Sequence, residues 1–455
     1  MRFTLKPDQV SKAAGLLVGG TALGQAIMLL ALPFLTRLYT PEDFNTLAIY
    51  VAIVGIFSGA ICLRFDIAIT LPETTADAWR LTILGVVCAA FFSSIIAAGL
   101  ALLLWSFAIN LGIEAHAFSI IVGLGLFSMG AFNSLQMWYV REKSFLCISI
   151  VKLLQSIVVV LVQIGIGIWL ATMAGLLWGQ FANGAVGALA LLLILKKNSF
   201  PLAILSFKDI KRLFQEYGRF PKYSVFESLA NEAASQLPVL LIAFLLGGSE
   251  AGFLMLAMRV LQAPIALLGN AISQVFLSQA PLSERNGELA ALSKSMLVRL
   301  AKIGVGPLIF VGIVAPTIFP VVFGAEWARA GELVSWMTPW FILQLLVSPI
   351  SMSLHIKGRQ DAALELQLVS LVIRVASVVI CYLIVPVYMV QIYALSGAAT
   401  YLIYLIFVCK VLKISLPEGV MMFREAFFLI ILCFMAGCLA VASFEQLLPF
   451  LIGLK

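Results

Sequence analysis

Residues 153–195 read LLQSIVVVLVQIGIGIWLATMAGLLWGQFANGAVGALALLLIL, a run of 43 residues without a charged side chain between Lys152 and Lys196. A helix needs about 20 residues to cross the roughly 30 Å of bilayer hydrocarbon, so this run is long enough for two spans. Because lipid offers the backbone no hydrogen-bond partner, apolar segments of this length are expected to be helical. The run therefore predicts two consecutive membrane-spanning helices.

Similar charge-free blocks recur along the chain, at residues 13–36, 81–113 and 375–409. Only 11% of the 455 residues are charged and 62% are hydrophobic, whereas a soluble domain carries about twice that share of charge. The predicted fold class is an all-α polytopic membrane protein. We place its spans at residues 13–36, 44–68, 81–104, 117–139, 146–169, 173–195, 224–246, 251–278, 303–323, 333–354, 364–385, 389–409 and 426–444.

The positive charges are distributed unequally between the two ends of these spans. With a cytoplasmic N-terminus, 24 lysines and arginines lie on the cytoplasmic side and three on the opposite side, while Arg259 and Arg374 fall inside spans. This is the distribution that the positive-inside rule requires. The net charge of +7 is therefore a signal of topology, and no nucleic-acid partner is predicted.

The longest polar segment divides the chain into two sets of six spans. We predict an N-terminal six-helix lobe at 1–195, a basic cytoplasmic linker at 196–223, a C-terminal six-helix lobe at 224–412, and an additional span and tail at 413–455. Within the linker, SFKDIKRLFQEYG has apolar residues at helical spacing with basic residues between them, which is typical of a helix lying on an anionic membrane surface.

The two predicted lobes are weakly similar in sequence. LTRLYTPEDFNTLAIY (35–50) and FLLGGSEAGFLMLAMR (244–259) each read as a helix, an acidic turn, and a helix that opens on a Leu-Ala pair. Six spans separate them, so the lobes are expected to be parallel pseudo-repeats facing a central cavity. Shared apolar composition is the alternative explanation. At the first turn, Thr40 is expected to cap the following helix, with Pro41 at its first position.

Loops on the outward side are short, so recognition must take place among the helices, where a charge is costly and informative. Arg259 lies about 12 Å and Arg374 about 15 Å into their predicted spans at 1.5 Å per residue. One hypothesis is a cationic cavity in which Arg259, Arg374 and Arg64 receive an anionic headgroup. The alternative is a set of structural ion pairs, for instance Glu232 with Arg259.

Lys152, Arg37 and Arg64 lie near the predicted interfaces, where headgroup binding and snorkelling are both reasonable. Glu227, Glu232 and Asp66 are candidates for balancing the arginines or for binding a coupling proton or sodium ion, and helix capping is a further possibility for the two glutamates. The seven cysteines and two histidines form no metal-binding pattern. No catalytic residue, metal or cofactor is predicted.

Three stretches carry recognisable motifs: LPFLTRLYTPEDFNTLAIY (32–50), LRFDIAITLPETTADA (63–78) and FPVVFGAEWARAGELV (319–334). They resemble the O-antigen (Wzx-type) flippases of the multidrug/oligosaccharidyl-lipid/polysaccharide exporter superfamily. Asn45 stands where the family usually has glycine and Phe65 where it has tyrosine. The matching residues are Pro33, Arg37, Leu38, Tyr39, Pro41, Phe44, Arg64, Asp66, Ala68, Ile69, Leu71, Pro72, Phe323, Gly324, Trp327, Ala330 and Gly331.

This resemblance implies two lobes facing each other in a V, with alternating access that moves a polyprenyl-pyrophosphate-linked oligosaccharide across the bacterial inner membrane. The oligosaccharide would be an O-antigen or related repeat unit for lipopolysaccharide. A polysaccharide polymerase and a chain-length regulator would be the expected partners, besides membrane lipids. A multidrug or organic-cation antiporter of the same superfamily is the first alternative. A membrane-embedded polymerase or glycosyltransferase is the second.

Overall fold

The computed structural model describes residues 7–108, 111–170, 172–197, 206–414 and 416–452, which are almost entirely helical. Contacts between Cα atoms divide the chain into two compact units, Met1–Leu240 and Leu241–Lys455. The predicted all-helical membrane fold is confirmed. The boundary between the units falls within a helix, and the predicted domain limits at 195, 223 and 412 stay predictions.

In the first unit the helices are α1 (Pro7–Leu38), α2 (Pro41–Ser58), α3 (Phe65–Ala68), α4 (Thr75–Ser106), α5 (Ala115–Arg141), α6 (Phe145–Leu170), α7 (Ala174–Lys197), α8 (Phe207–Glu216) and the first part of α9 (Val225–Leu246). In the second unit they are the rest of α9, α10 (Glu250–Arg285), α11 (Leu289–Leu300), α12 (Gly306–Phe323), α13 (Ala328–Ile350), α14 (Met352–Ile356), α15 (Gln360–Ile384), α16 (Met389–Val411) and α17 (Leu416–Ile452).

Eleven helical segments of the described residues are long and apolar enough to span a membrane, against thirteen predicted spans. The difference lies in α2 and α10, which hold the predicted spans 44–68 and 251–278. The 18 residues of α2 begin with Glu42 and Asp43, which shortens its apolar length. The chain remains a multi-pass membrane protein.

The predicted second span, 44–68, is wrong as a single helix. The α-helix ends at Ser58, and the chain then turns through Leu63 (φ 50°) and Arg64 (φ 59°) into the one-turn α3. A left-handed residue cannot continue a right-handed helix. Hydropathy alone did not reveal this break, since the residues on both sides of it are apolar.

Two local predictions are confirmed. The backbone N–H of Asp43 donates to the Thr40 hydroxyl (3.3 Å) and the N–H of Thr40 donates to the Asp43 carboxylate (2.9 Å), which forms a capping box in front of Pro41. The linker contains the amphipathic helix α8, with Leu213 buried. Linker residues 198–205 lie outside the described residues.

The C-terminal segment, predicted as a span near 426–444 and a separate short fragment, is one 37-residue helix, α17. It packs against α12: a Cβ added to Gly306 would lie 2.7 Å from the Cys433 sulfur, and one added to Gly437 would lie 3.3 Å from Ile313. The additional helix therefore belongs to the second unit by direct packing.

Candidate functional site

The motif Leu63–Asp66 forms a strained turn after α2. Two successive non-glycine residues with positive φ cost about 1–2 kcal/mol each and persist only where the surroundings hold them. Here the side chain of Phe65 is fully buried, and its ring packs edge-to-face on Phe214 of α8 with 4.9 Å between centroids. The Cys62 thiol donates to the carbonyl of Gly130 at 3.3 Å. These contacts fix the turn that carries Arg64 and Asp66.

Three of the predicted site residues meet at this turn. The Nη1 of Arg64 donates to the carbonyl of Gly59 at 3.2 Å, and the guanidinium interacts electrostatically with the carboxylates of Asp66 and Glu232. The Glu232 carboxylate also accepts from the side-chain amide of Asn231 at 3.4 Å. Within the described part of the chain, the buried Arg64 Nε and Asp66 Oδ1 have no hydrogen-bond partner. The cluster therefore keeps one free donor and one free acceptor.

Glycine at position 59 allows α9 to approach this turn. A Cβ added to Gly59 would collide with the hydroxyl of Ser228. Ser228 is buried, and Glu232 follows it by four residues and so lies on the same face of α9. The helix thereby presents its acid to Arg64.

Lys152 lies on α6 where α1 crosses it closely. A Cβ added to Gly20 would lie 2.9 Å from the Ser149 Cβ, and one added to Gly24 would lie 2.5 Å from the Ser156 hydroxyl. Lys152 itself is half-buried, and no described carboxylate of the first unit lies within ion-pair distance of its ammonium group. This leaves an uncompensated positive charge on a spanning helix.

Arg259 is a second cation on an apolar helix. It lies on α10 beside the fully buried Leu256, Ala257 and Leu261, and its own side chain is half-buried. Among the described residues of the second unit, none hydrogen-bonds or ion-pairs with its guanidinium. A guanidinium group carries five N–H donors, and no described residue of this unit accepts from them.

Arg374, by contrast, is already surrounded. The side chain is only 7% exposed, and its guanidinium carbon lies 4.7 Å from the ring centroid of Trp340 and 5.6 Å from that of Tyr401. Its Nε and Nη2 both lie 3.4 Å from the Thr400 hydroxyl. It therefore joins α13, α15 and α16 through cation–π contacts, without a carboxylate partner in the described part of the second unit.

Sequence reasoning missed the aromatic residues around Arg374. Trp340 and Tyr393 pack edge-to-face at 5.3 Å, and the buried Trp340 Nε1 and Tyr393 hydroxyl have no partner among the described residues. The available signal was the position of Trp340 and Tyr401 near the middle of α13 and α16, since tryptophan and tyrosine usually mark the membrane interface. The remaining predicted site residues, Arg37 and Glu227, are exposed.

Solved structures with a similar fold are transporters. The lipid II flippase MurJ in an inward closed conformation gives a TM-score of 0.69 at 12% identity, covering 95% of this chain and 98% of that one. An inward-facing multidrug resistance MATE family transporter of the MOP superfamily gives 0.58 at 13% identity, covering 88% and 94%. A MOP superfamily transporter from Pyrococcus furiosus Vc1, described with a reverse polarity of its binding pocket, gives 0.51 at 14% identity, covering 88% and 96%. The fold is thus that of a MOP-superfamily transporter.

A family model described as polysaccharide biosynthesis protein matches residues 34–332, more than half of the chain. The chain belongs to this family, which confirms the superfamily that its motifs predicted. No curated protein sequence matches it.

Proposed function

We propose that the protein is a flippase that moves a polyprenyl-pyrophosphate-linked oligosaccharide, an O-antigen or related repeat unit, across the membrane by alternating access. The observation that carries this proposal is that two cations on apolar helices, Arg259 on α10 and Lys152 on α6, each lack a carboxylate partner among the described residues of their own unit. A charge at the centre of a bilayer costs about 2.5–3.5 kcal/mol on insertion scales. An anionic ligand would compensate that cost, and a pyrophosphate is such a ligand.

Arg259 and Lys152 would interact with a pyrophosphate in different ways. The planar fork of Arg259 can donate two parallel hydrogen bonds to phosphate oxygens, whereas Lys152 acts as a point charge. Arg64, Arg374 and Arg37 remain proposed contacts of the headgroup. Arg64 would contribute its unpartnered Nε.

The acidic residues would couple transport to an ion gradient. Asp66 is 6% exposed and has a free Oδ1 beside Arg64, and Glu232 faces the same guanidinium. Binding of a proton or a sodium ion there would release Arg64 from its acidic neighbours. Glu227, exposed near the start of α9, would balance charge.

A buried Asp66 also favours a second candidate, an organic-cation antiporter, because a carboxylate can bind a cationic substrate directly. The likeness to MATE transporters is a likeness of fold and does not decide between the two. The deeply placed arginines favour an anionic substrate. A test of both substrates in one preparation separates the candidates.

The bacterial inner membrane, with a cytoplasmic N-terminus, is the location that we propose. The exposed Lys208 and Lys211 on α8 support a cytoplasmic position for this helix, since anionic lipids of that leaflet attract them. Production of an O-antigen would require a polysaccharide polymerase and a chain-length regulator to act on the exported repeat unit.

The test is a flipping assay in liposomes that contain the purified protein and a fluorescent polyprenyl-pyrophosphate oligosaccharide. Arg259→Ala should lower the flipping rate by about a hundredfold, as expected for loss of about 3 kcal/mol of charge-assisted binding. Arg259→Lys should restore part of it, since lysine keeps the charge and loses the fork. Arg285→Ala is the matched control, because Arg285 is exposed at the end of the same helix.

Wild-type flipping by Arg259→Ala would contradict the cationic site. Transport of a small organic cation, with no movement of the oligosaccharide lipid, would establish the antiporter instead.

A further inference from the structure

An apolar groove runs along an exposed side of the first unit. It consists of a cavity of about 470 Å³ between α4, α5 and α7 and a second cavity of about 340 Å³ between α4 and α5. The two cavities are neighbours along α4, since Leu124 and Phe127 line both. We call this feature the α4 groove, after the helix that follows its whole length from Trp79 to Ala97.

The walls of the α4 groove offer no free polar group. Its four hydroxyls each donate to a carbonyl of their own helix: Thr82 to Ala78 at 3.0 Å, Ser93 and Ser94 to Ala90 at 3.1 and 2.8 Å, and Ser128 to Gly125 at 3.0 Å. The rim is open, since Val87 is 49% and Leu189 58% exposed. A hydrocarbon chain can therefore enter sideways from the bilayer and meet mainly apolar surface.

The length of the groove discriminates between hydrocarbon chains. Eighteen residues separate Trp79 from Ala97 on α4, which at 1.5 Å per residue is about 27 Å. The hydrocarbon core is about 30 Å thick, so the chains of one leaflet reach about 15 Å. A single phospholipid acyl chain would fill about half of the groove, whereas a polyprenyl chain is long enough to fill it.

Fixed charges lie beside the Trp79 end. Arg80 donates to Asp77 at 3.0 Å and lies 3.6 Å from Asp209 of α8, and Arg212 of α8 also pairs with Asp77. These ion pairs hold α8 against the start of α4. The exposed Lys208 and Lys211 of α8 then supply net positive charge near the groove's end, which suits a phosphate at the head of the chain.

We propose that the α4 groove binds the polyprenyl chain of the lipid-linked substrate, with its phosphate end beside α8. This inference rests on the proposed function for the identity of the lipid. Lipid tails are as apolar as the groove, so hydrophobicity alone gives no preference. Selection comes from the match in length and from the charge at one end.

The experiment uses the full chain in phospholipid nanodiscs with a polyprenyl monophosphate that carries a diazirine at the end of its chain. After irradiation, mass spectrometry locates the labelled peptides, which we expect in α4, α5 and α7. Ala185→Trp and Ala90→Trp would fill the two parts of the groove and should each lower labelling about tenfold, or about 1.4 kcal/mol. Ala98→Trp is the control, because Ala98 is an exposed α4 residue outside the groove lining.

Labelling elsewhere, or unchanged labelling in both tryptophan variants, would overturn the inference. So would displacement of the probe by an equal amount of dioleoyl phosphatidylglycerol, since acyl chains from the two leaflets would then fill the groove equally well. Flipping measured in liposomes on the same protein variants separates the two proposals. Groove labelling without flipping would contradict the flippase alone, and flipping without groove labelling would contradict the groove alone.

Discussion

Replacing Arg374 with alanine removes a cation that joins three helices of the second unit. Its contacts are two aromatic faces, at 4.7 and 5.6 Å, and the Thr400 hydroxyl at 3.4 Å. A desolvated cation–π contact contributes about 2 kcal/mol, and a hydrogen bond to a charged group contributes about 1.5–3 kcal/mol. Release of a buried charge offsets part of this loss. We expect a net destabilisation of about 2–4 kcal/mol.

For a domain of about 200 residues, each kcal/mol shifts the melting temperature by about 2–4 °C, so the expected fall is about 5–15 °C. Thermal unfolding in detergent, followed by tryptophan fluorescence, measures it. The melting temperature of Arg374→Lys should lie between those of wild type and Arg374→Ala, because lysine keeps the charge and loses the Nε donor. The control is Arg359→Ala, since Arg359 forms an exposed pair with Asp361 at 3.5 Å near the start of the same helix and such pairs contribute at most about 1 kcal/mol.

A melting temperature within about 2 °C of wild type for Arg374→Ala would refute this reasoning. It would mean that the cation–π contacts contribute little to stability.

The remaining predictions concern one charge and two backbone positions. Lys152→Met should raise the free energy of unfolding by about 1 kcal/mol, because it removes a charge from a span, and should lower the flipping rate. Lys410→Met is the control and should change neither quantity, because Lys410 is exposed at a helix end. Gly331→Ala should lower the free energy of unfolding by about 1–3 kcal/mol, because its Cβ would lie 2.6 Å from the carbonyl oxygen of residue 315. Gly99→Ala is the control and should be neutral or slightly stabilising, because there is open space around Gly99. Lys413→Gly should raise the free energy of unfolding by about 1 kcal/mol, because residue 413 has a φ of 57° after α16 and glycine adopts this angle without strain. Thermal unfolding checks all three, and a fall in melting temperature for Lys413→Gly would contradict the last.

The motifs that identify the family have structural reasons in this fold. Trp327 is 1% exposed and packs edge-to-face on Phe253 at 5.9 Å. Gly324 has a φ of 112° where α12 ends, a backbone angle that favours glycine. The Tyr39 hydroxyl donates to the carbonyl of Gln163 at 2.6 Å and so joins α1 to α6. These residues mark the family because they shape the fold, and they carry no information about the sugar.

Arg329, within the third motif, also has structural contacts in this fold. Its guanidinium lies 3.4 Å from the Glu250 carboxylate and 2.8 Å from that of Glu332. The Gln391 side-chain oxygen accepts from it at 3.0 Å. This network joins α10, α13 and α16, so the contacts of Arg329 are structural, whereas Arg259 has no such partner among the described residues of the same unit.

The sequence by itself determined the features that depend on residues close together along the chain. Charge-free runs such as 153–195 predict spanning helices, because a helix in lipid satisfies its hydrogen bonds within its own segment. The N-cap at Thr40 and the amphipathic helix α8 could likewise be predicted, because each pattern depends on residues that are only three or four positions apart in the sequence.

Only the tertiary structure shows which side chains surround the charged residues. Arg374 lies 34 residues from Trp340 and 26 from Thr400 along the chain, and Arg64 interacts electrostatically with Glu232 of a different helix. Depth in a span is equally consistent with a paired or an unpaired arginine, because pairing depends on which side chains other helices bring within a few ångströms. The sequence therefore singles out Arg259 and Arg374 alike, whereas packing surrounds Arg374 with aromatic rings and gives Arg259 no partner among the described residues of its own unit.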